Sequence, residues 1–191
     1  MIRLLLIAVL SCFGMSCLIP LSNASTQLGE IEFPTSGSGA AQKHFIHGIA
    51  ALHSFWYTEA INSFQKSTQI DPSFAMGYWG EALAYNRPLW EEQDIKSAKH
   101  TLSKIVDTSR LSQREKDYIN ALHLLYGNEQ KVFRDKAYSN AMKKIYTNYP
   151  EDLEAACFYS LSLLGVSRNT SNNLPLRIES GAIALEVYEK N

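Results

Sequence analysis

The chain has 191 residues, of which 46% are hydrophobic and 19% are charged, the composition of a folded globular protein and not of a disordered one. Its 18 basic and 19 acidic residues leave a formal net charge of −1. No overall basic field therefore indicates a nucleic-acid partner.

The first 24 residues have the pattern of a secretory signal peptide. Arg3 supplies the positive start, the stretch 4–21 is almost wholly apolar, and a small-residue cleavage site ends at Ala24. Two alternatives remain: the 18 apolar residues could span a bilayer as an uncleaved anchor, or Cys12 or Cys17 could be lipidated. We predict export to the periplasm or the extracellular space, with membrane contact only through an uncleaved or lipidated N-terminus.

The segment 25–40 separates the signal from the first helical pattern. It is polar and contains Pro34 and the run S-G-S-G. This composition predicts a flexible lead-in, followed by one helical domain over residues 41–191.

The spacing of small and aromatic residues from Gly48 to Pro72 predicts a pair of packed helices. Gly48 and Ala60 lack bulk, so the two helix backbones can approach closely, and Phe64 fills the wedge one turn later. Pro72 lacks a backbone N–H and separates this hairpin from the next. This is the spacing of a tetratricopeptide (TPR) repeat, a helix–turn–helix unit of about 34 residues.

The next segment repeats the pattern. Tyr78, Ala82 and Tyr85 take the aromatic, small and aromatic positions of a second first helix, and Ala82 lies 34 residues after Gly48. A longer turn follows, so the partner helix is predicted over about 91–106.

Two further hairpins follow. A capping box at Ser112 and Glu115 predicts the start of the third, and Gly127 predicts a left-handed C-cap at the end of its first helix. Ala141 then takes the small-residue position of the partner helix, and Pro150 has the role of Pro72. The fourth ends without the polar capping helix that a solenoid needs, so we expect a truncated last repeat.

These elements predict an all-α fold, a right-handed α-solenoid of about four TPR-like hairpins. The predicted hairpins cover about 41–72, 74–107, 112–149 and 152–191.

Two blocks of the sequence resemble a family of bacterial exported TPR proteins. They are L-H-S-F-W-Y-T-E-A at 52–60 and D-P-S-F-A-M-G-Y-W-G-E-A-L-A-Y-N-R-P-L-W at 71–90. The stretches 111–119 and 149–155 resemble later blocks of the same family. The resemblance implies an exported repeat scaffold and a protein longer than this chain. It implies no defined activity, because most members are uncharacterised.

Motifs of catalysis or cofactor binding are missing from the sequence. It has no glycine-rich phosphate loop, no G-x-S-x-G elbow and no H-E-x-x-H. His44 and His47 share a helical face and could start a metal site, but they also occupy packing positions, which we favour. Cys157 lies among alanines and aromatics, which indicates a packing role. We predict no catalytic residue, metal or cofactor, and hence no enzyme.

The concave face of the predicted solenoid offers a candidate binding surface. Residues of the first helices that lie one place beyond the packing positions line such a face, the usual groove for peptides. These residues are Phe45, Ile49, Leu52, Met76, Trp79, Leu83, Asn86 and Arg87. We expect Trp79 to be partly exposed in this groove and Trp56 to pack against the hairpin.

We therefore predict a non-enzymatic scaffold that binds a protein or peptide segment. Two alternatives stay open. The strip could be covered by another segment of the chain, or the repeats could be an accessory module of a longer enzyme or small-ligand-binding protein.

Overall fold

The structure, a computed structural model, describes residues 28–190, so the predicted signal peptide lies outside the described part. Within this range the chain forms eight α-helices and one short β-hairpin, which confirms the all-α prediction. The helices are α1 (Gly39–His53), α2 (Tyr57–Ile70), α3 (Ala75–Ala84), α4 (Ile95–Leu102), α5 (Gln113–Leu125), α6 (Lys131–Asn148), α7 (Leu153–Ser167) and α8 (Leu174–Lys190). The antiparallel strands are β1 (Asn86–Arg87) and β2 (Glu92–Gln93).

Polar side chains cap the start of four helices. The capping box predicted for α5 is present: the Ser112 hydroxyl accepts from the N–H of Glu115, and the Glu115 carboxylate accepts from the N–H of Ser112. Ser38, Asp94 and Asp152 accept in the same way at the starts of α1, α4 and α7. These bonds satisfy N–H groups that have no partner inside the helix.

Two turns place non-glycine residues in the left-handed backbone region. They are Phe55, with φ of 58°, and Glu91, with φ of 59°. Such backbone is unfavourable for residues with a side chain and is concentrated at functional sites. The left-handed C-cap predicted at Gly127 is wrong, because no glycine of the described part has positive φ, although α5 does end nearby.

Helices that follow each other along the chain pack in pairs. The pairs α1–α2, α3–α4, α5–α6 and α7–α8 are in contact, and so are α2–α3 and α6–α7. Among the first helices, α3 contacts both α1 and α5. The second hairpin differs from the prediction over 91–106: helix α4 begins later because residues 86–93 form the β-hairpin, and it ends at Leu102.

The Phe64 ring fills a tight space between α1 and α3. A Cβ atom added at Gly48 would lie 2.6 Å from this ring, and one added at Gly80 would lie 2.4 Å from it. Phe64, Ala60 and Ala82 are all fully buried. The small residues therefore allow the close approach expected from the sequence, with Gly80 as an additional member.

The other repeat positions are less buried than Phe64. Tyr78, expected in the core, is half-exposed, and its hydroxyl donates to the carbonyl oxygen of Pro72 at 3.2 Å. Tyr85 is partly buried against the core. In α6 the fully buried position is Met142, and Ala141 is only partly buried. The small-residue position of α6 is thus less buried than predicted, while Tyr138 and Ile145 of the same helix are buried.

Replacing Gly80 with alanine is expected to destabilise the protein by about 1–3 kcal/mol, because the added methyl group overpacks the Phe64 ring. Gly181 is the matched control, since an added Cβ there meets nothing within 4 Å. Gly181→Ala should stabilise by up to about 1 kcal/mol through helix propensity. Urea denaturation of both variants checks this, and a stabilising Gly80→Ala would contradict it.

Helix α8 is covered on one side only within the described part. Its buried residues are Ser180 and Ile183. Four large apolar side chains of the helix are exposed, namely Leu174, Ile178, Leu185 and Tyr188.

Candidate functional site

The predicted binding strip lies mostly in the protein interior. Seven of its eight residues are buried, and only Arg87 is half-exposed. The seven are Phe45, Ile49, Leu52, Met76, Trp79, Leu83 and Asn86. The prediction of an open strip is therefore wrong, because later helices and an N-terminal segment of the chain pack over it.

The two tryptophans show the reverse of the expected exposure. Trp79 is 1% exposed, and its indole N–H donates to the carbonyl oxygen of Tyr118 at 3.0 Å. Its ring also meets Phe158 of α7 edge to face, at 5.6 Å between centroids. Trp56 is 44% exposed in the turn after Phe55. Trp79 is thus a core residue, and Trp56 is a surface residue.

An N-terminal segment covers part of the strip. The lead-in 25–40 was expected to be flexible, but its described part is packed around Phe33, which is 1% exposed. The Phe33 ring lies 5.3 Å from Phe45, 5.8 Å from Trp79 and 5.2 Å from Tyr118, measured between centroids. Phe33 therefore joins α1, α3 and α5 in one aromatic cluster.

Arg114 connects this segment to the start of α7. Its Nε donates to Oδ2 of Asp152 at 2.6 Å, and its Nη1 donates to the carbonyl oxygen of Pro34 at 3.0 Å. The guanidinium lies 4.2 Å from the centre of the Phe33 ring. The Tyr118 hydroxyl also donates to Oδ2 of Asp152, at 2.8 Å. Burial and the Asp152 charge raise the pKa of Tyr118 well above its usual value.

Glu115 also binds the N-terminal segment. Its Oε1 accepts from both the backbone N–H and the hydroxyl of Ser36, at 2.8 Å each. Burial alone would raise the pKa of Glu115, but hydrogen bonds from Ser36 and Ser112 outweigh it and lower the pKa. The carboxylate is therefore ionised at neutral pH and accepts strong hydrogen bonds.

A cavity of about 350 Å³ opens where α1 and α3 face α6 and α7. Three residues of the predicted strip, Leu52, Leu83 and Asn86, line it. The later helices contribute the other side, including Tyr138, Leu161, Leu164 and Gly165. The lining is mainly apolar, and the volume lies in the range of about 300–1,000 Å³ typical of ligand sites.

Polar groups around the cavity are mostly paired. Lys131 Nζ lies 2.5 Å from Oδ2 of Asp135, and Oδ1 of Asn86 accepts from Gln93 at 2.9 Å. The Tyr57 hydroxyl is different: among the described residues it is buried and has no hydrogen-bond partner. An unpaired buried hydroxyl destabilises the folded state, and Tyr57 is one of the residues that line the cavity.

Exposed aromatic side chains flank the cavity. Phe55 is 41% exposed and Trp90 is 53% exposed, with their ring centroids 5.5 Å apart. The Tyr57 ring meets Trp90 edge to face at 5.8 Å, and the Arg87 guanidinium lies 5.1 Å from the Tyr57 ring centre. Clustered exposed aromatics beside an arginine are typical of binding surfaces.

His53 and Cys157 lie between the cavity and a second, wider opening, and line both. His53 Nε2 is 2.5 Å from Oε2 of Glu154, and its ring stacks on Phe158 at 5.1 Å. Burial, and then the Glu154 charge, raises the pKa of the Cys157 thiol to about 12. The thiol is thus protonated at neutral pH and is a poor nucleophile.

Neither of the two histidines considered for metal binding is buried. His47 Nδ1 is 2.9 Å from the Ser63 hydroxyl and 3.7 Å from Oε1 of Glu59. His44 is partly buried on the same helix. Within residues 28–190 no group of three His, Cys, Asp or Glu side chains is arranged to hold a metal ion.

The role of Phe33, which organises one half of the site, was not predicted from the sequence. The available signal was a single phenylalanine followed by Pro34 inside an otherwise polar segment. The places of Leu161 and Tyr138 in the cavity wall were not predicted either, because nothing local to α6 and α7 shows that they face α1 and α3.

None of the helices between residues 28 and 190 is both long and apolar enough to cross a membrane. No family model, curated protein or solved structure matches the chain.

Proposed function

We propose that this chain is an exported, non-enzymatic helical scaffold of TPR-like hairpins that binds a protein segment on the face formed by its first helices. An apolar anchor side chain of the segment enters the cavity between α1, α3, α6 and α7. The observation that carries the proposal is this cavity of about 350 Å³ with its mainly apolar lining and its exposed aromatic neighbours.

The repeat architecture is supported by the packing of consecutive helices. The two helices of each predicted hairpin are in contact, and α3 contacts both α1 and α5, which is compatible with stacked hairpins. Export rests on the signal-peptide pattern of residues 1–24.

Binding is favoured over catalysis by the chemistry of the lining. The Cys157 thiol has a pKa of about 12, and Lys131 is paired with Asp135. The volume and apolar lining of the cavity also suit a small apolar molecule, as the alternative of a small-ligand-binding protein requires. The two hypotheses differ in whether an extended peptide or only a compact ligand binds.

Selection of peptides from a random display library against residues 25–191 tests the proposal. We expect enriched peptides with one large apolar residue. The variant Leu161→Trp narrows the cavity and should weaken their binding about thirtyfold, the equivalent of about 2 kcal/mol for a hot-spot contact. Val106→Trp is the control, since Val106 is 91% exposed and does not line the cavity.

Equal affinities for the two tryptophan variants would contradict binding at the cavity. Failure to enrich any peptide, together with saturable binding of indole that Leu161→Trp abolishes, would favour the small-ligand alternative instead.

A further inference from the structure

The N-terminal segment lies on the first helices as a bound peptide would. Residues 31–36, called the strap below, have no helical or strand structure. Only Phe33 is buried in the strap, while Glu32, Pro34 and Ser36 are exposed. One aromatic anchor between exposed neighbours is the contact pattern of an extended peptide in a groove.

The strap is bound through groups that any peptide has. The Gln42 side-chain amide donates to the carbonyl oxygen of Phe33 at 2.7 Å, and Arg114 donates to that of Pro34 at 3.0 Å. Glu115 accepts from the backbone N–H of Ser36 at 2.8 Å. Three receptor side chains therefore fix the backbone of the strap.

Selectivity comes from the Phe33–Pro34 pair. The Phe33 ring is enclosed by Phe45, Trp79 and Tyr118. Proline holds its own φ and disfavours helical backbone in the residue before it, so Pro34 keeps Phe33 extended. The Arg114 guanidinium covers the free face of the Phe33 ring at 4.2 Å.

The strap also adjoins the cavity of the proposed function. Residues 29–32 and Pro34 line the second opening together with His53 and Cys157. His53 and Cys157 line the cavity as well. A segment that replaced the strap would therefore continue, on its N-terminal side, towards the cavity.

We propose that the channel between α1, α3 and α5 binds an extended segment of another protein that carries an aromatic residue followed by proline, and that the strap is an internal competitor for it. This inference rests on the proposed function and specifies its partner. The partner binds only molecules in which the strap has left the channel. Its apparent affinity is therefore its intrinsic affinity multiplied by the fraction of molecules in which the channel is free.

A labelled peptide with the sequence of residues 28–38, L-G-E-I-E-F-P-T-S-G-S, tests the inference by fluorescence anisotropy. The variant Phe33→Ala releases the strap and should bind this peptide at least about tenfold more tightly than the unmodified protein. A peptide with the Phe and Pro positions exchanged should not bind. Phe133→Ala, the same change at a side chain that is 58% exposed on α6, should behave as the unmodified protein.

Three outcomes would overturn the inference. They are a folded Phe33→Ala protein that does not bind the peptide, equal binding by the two proteins, and equal binding of the exchanged peptide. Should Phe33→Ala be poorly folded, Phe33→Leu replaces it. Binding is then measured as the rise in melting temperature with added peptide, because a ligand of the native state stabilises that state.

Failure of this inference can be distinguished from failure of the proposed function. Adding Leu161→Trp to the Phe33→Ala protein should leave binding of the strap peptide unchanged, since Leu161 lies in the cavity and not in the channel. Library peptides that bind at the cavity of the unmodified protein would keep the scaffold proposal, even if the strap peptide did not bind.

Discussion

Replacing Trp79 with alanine is expected to lower the free energy of unfolding by about 3–5 kcal/mol, the cost of removing a large buried aromatic side chain. Trp79 is 1% exposed and contacts Phe33, Tyr118 and Phe158 in edge-to-face geometry. The change also leaves the carbonyl oxygen of Tyr118 without its indole donor. Lost packing and a lost buried hydrogen bond act in the same direction.

Urea denaturation followed by circular dichroism measures the effect. Trp56→Ala is the matched control, because Trp56 is 44% exposed, and its loss should change stability far less than that of Trp79. A similar loss of unfolding free energy in the two variants would contradict the burial of Trp79. A near-native Trp79→Ala protein that failed to bind peptides would restore the original expectation of an open groove.

The helices and their pairing could be predicted from sequence because their signals are local. Gly48, Ala60 and Phe64 lie within one hairpin, and the Ser112–Glu115 capping box spans one helical turn. Such signals fix where helices begin and which neighbours pack. They do not contain the longer-range contacts that decide which face of a first helix stays open.

The errors concern contacts between distant parts of the chain. Ser36 and Glu115 are 79 residues apart, and His53 and Glu154 are 101 residues apart. An apolar residue on a first helix has the same sequence pattern whether water, a ligand or the strap covers it. The expectation that Trp79 is partly exposed was therefore wrong.

Only one wall of the cavity could be predicted, because the other wall is formed by distant parts of the chain. Leu52, Leu83 and Asn86 belong to the predicted strip and do line the cavity. Its opposite wall comes from α6 and α7, so its volume depends on how the fourth hairpin closes towards the first. The aromatic residues Phe55 and Trp90 lie in turns, which periodicity arguments do not cover.

Replacing Asp152 with alanine is expected to lower the free energy of unfolding by about 3–5 kcal/mol, the range for breaking a buried ion pair by removal of one partner. The side chains of Arg114 and Asp152 are 17% and 7% exposed, and their contact is 2.6 Å. The change leaves the Arg114 guanidinium unpaired and removes the acceptor of the Tyr118 hydroxyl. It also removes the N-cap of α7, where Asp152 accepts from the N–H of Ala155.

The size of this effect can be separated into its causes by a double-variant cycle in urea. Arg114→Met with Asp152→Ala should be less destabilised than the sum of the two single variants, because no buried charge is then left unpaired. Glu92→Ala, which breaks the exposed pair with Arg87, is the control and should cost at most about 1 kcal/mol. If the destabilisation of the double variant equals the sum of the two single variants, Asp152 acts only as a helix cap. Coupling would instead show that the pair holds Arg114 over Phe33, so Asp152→Ala should also loosen the strap and speed hydrogen exchange at the Ser36 amide.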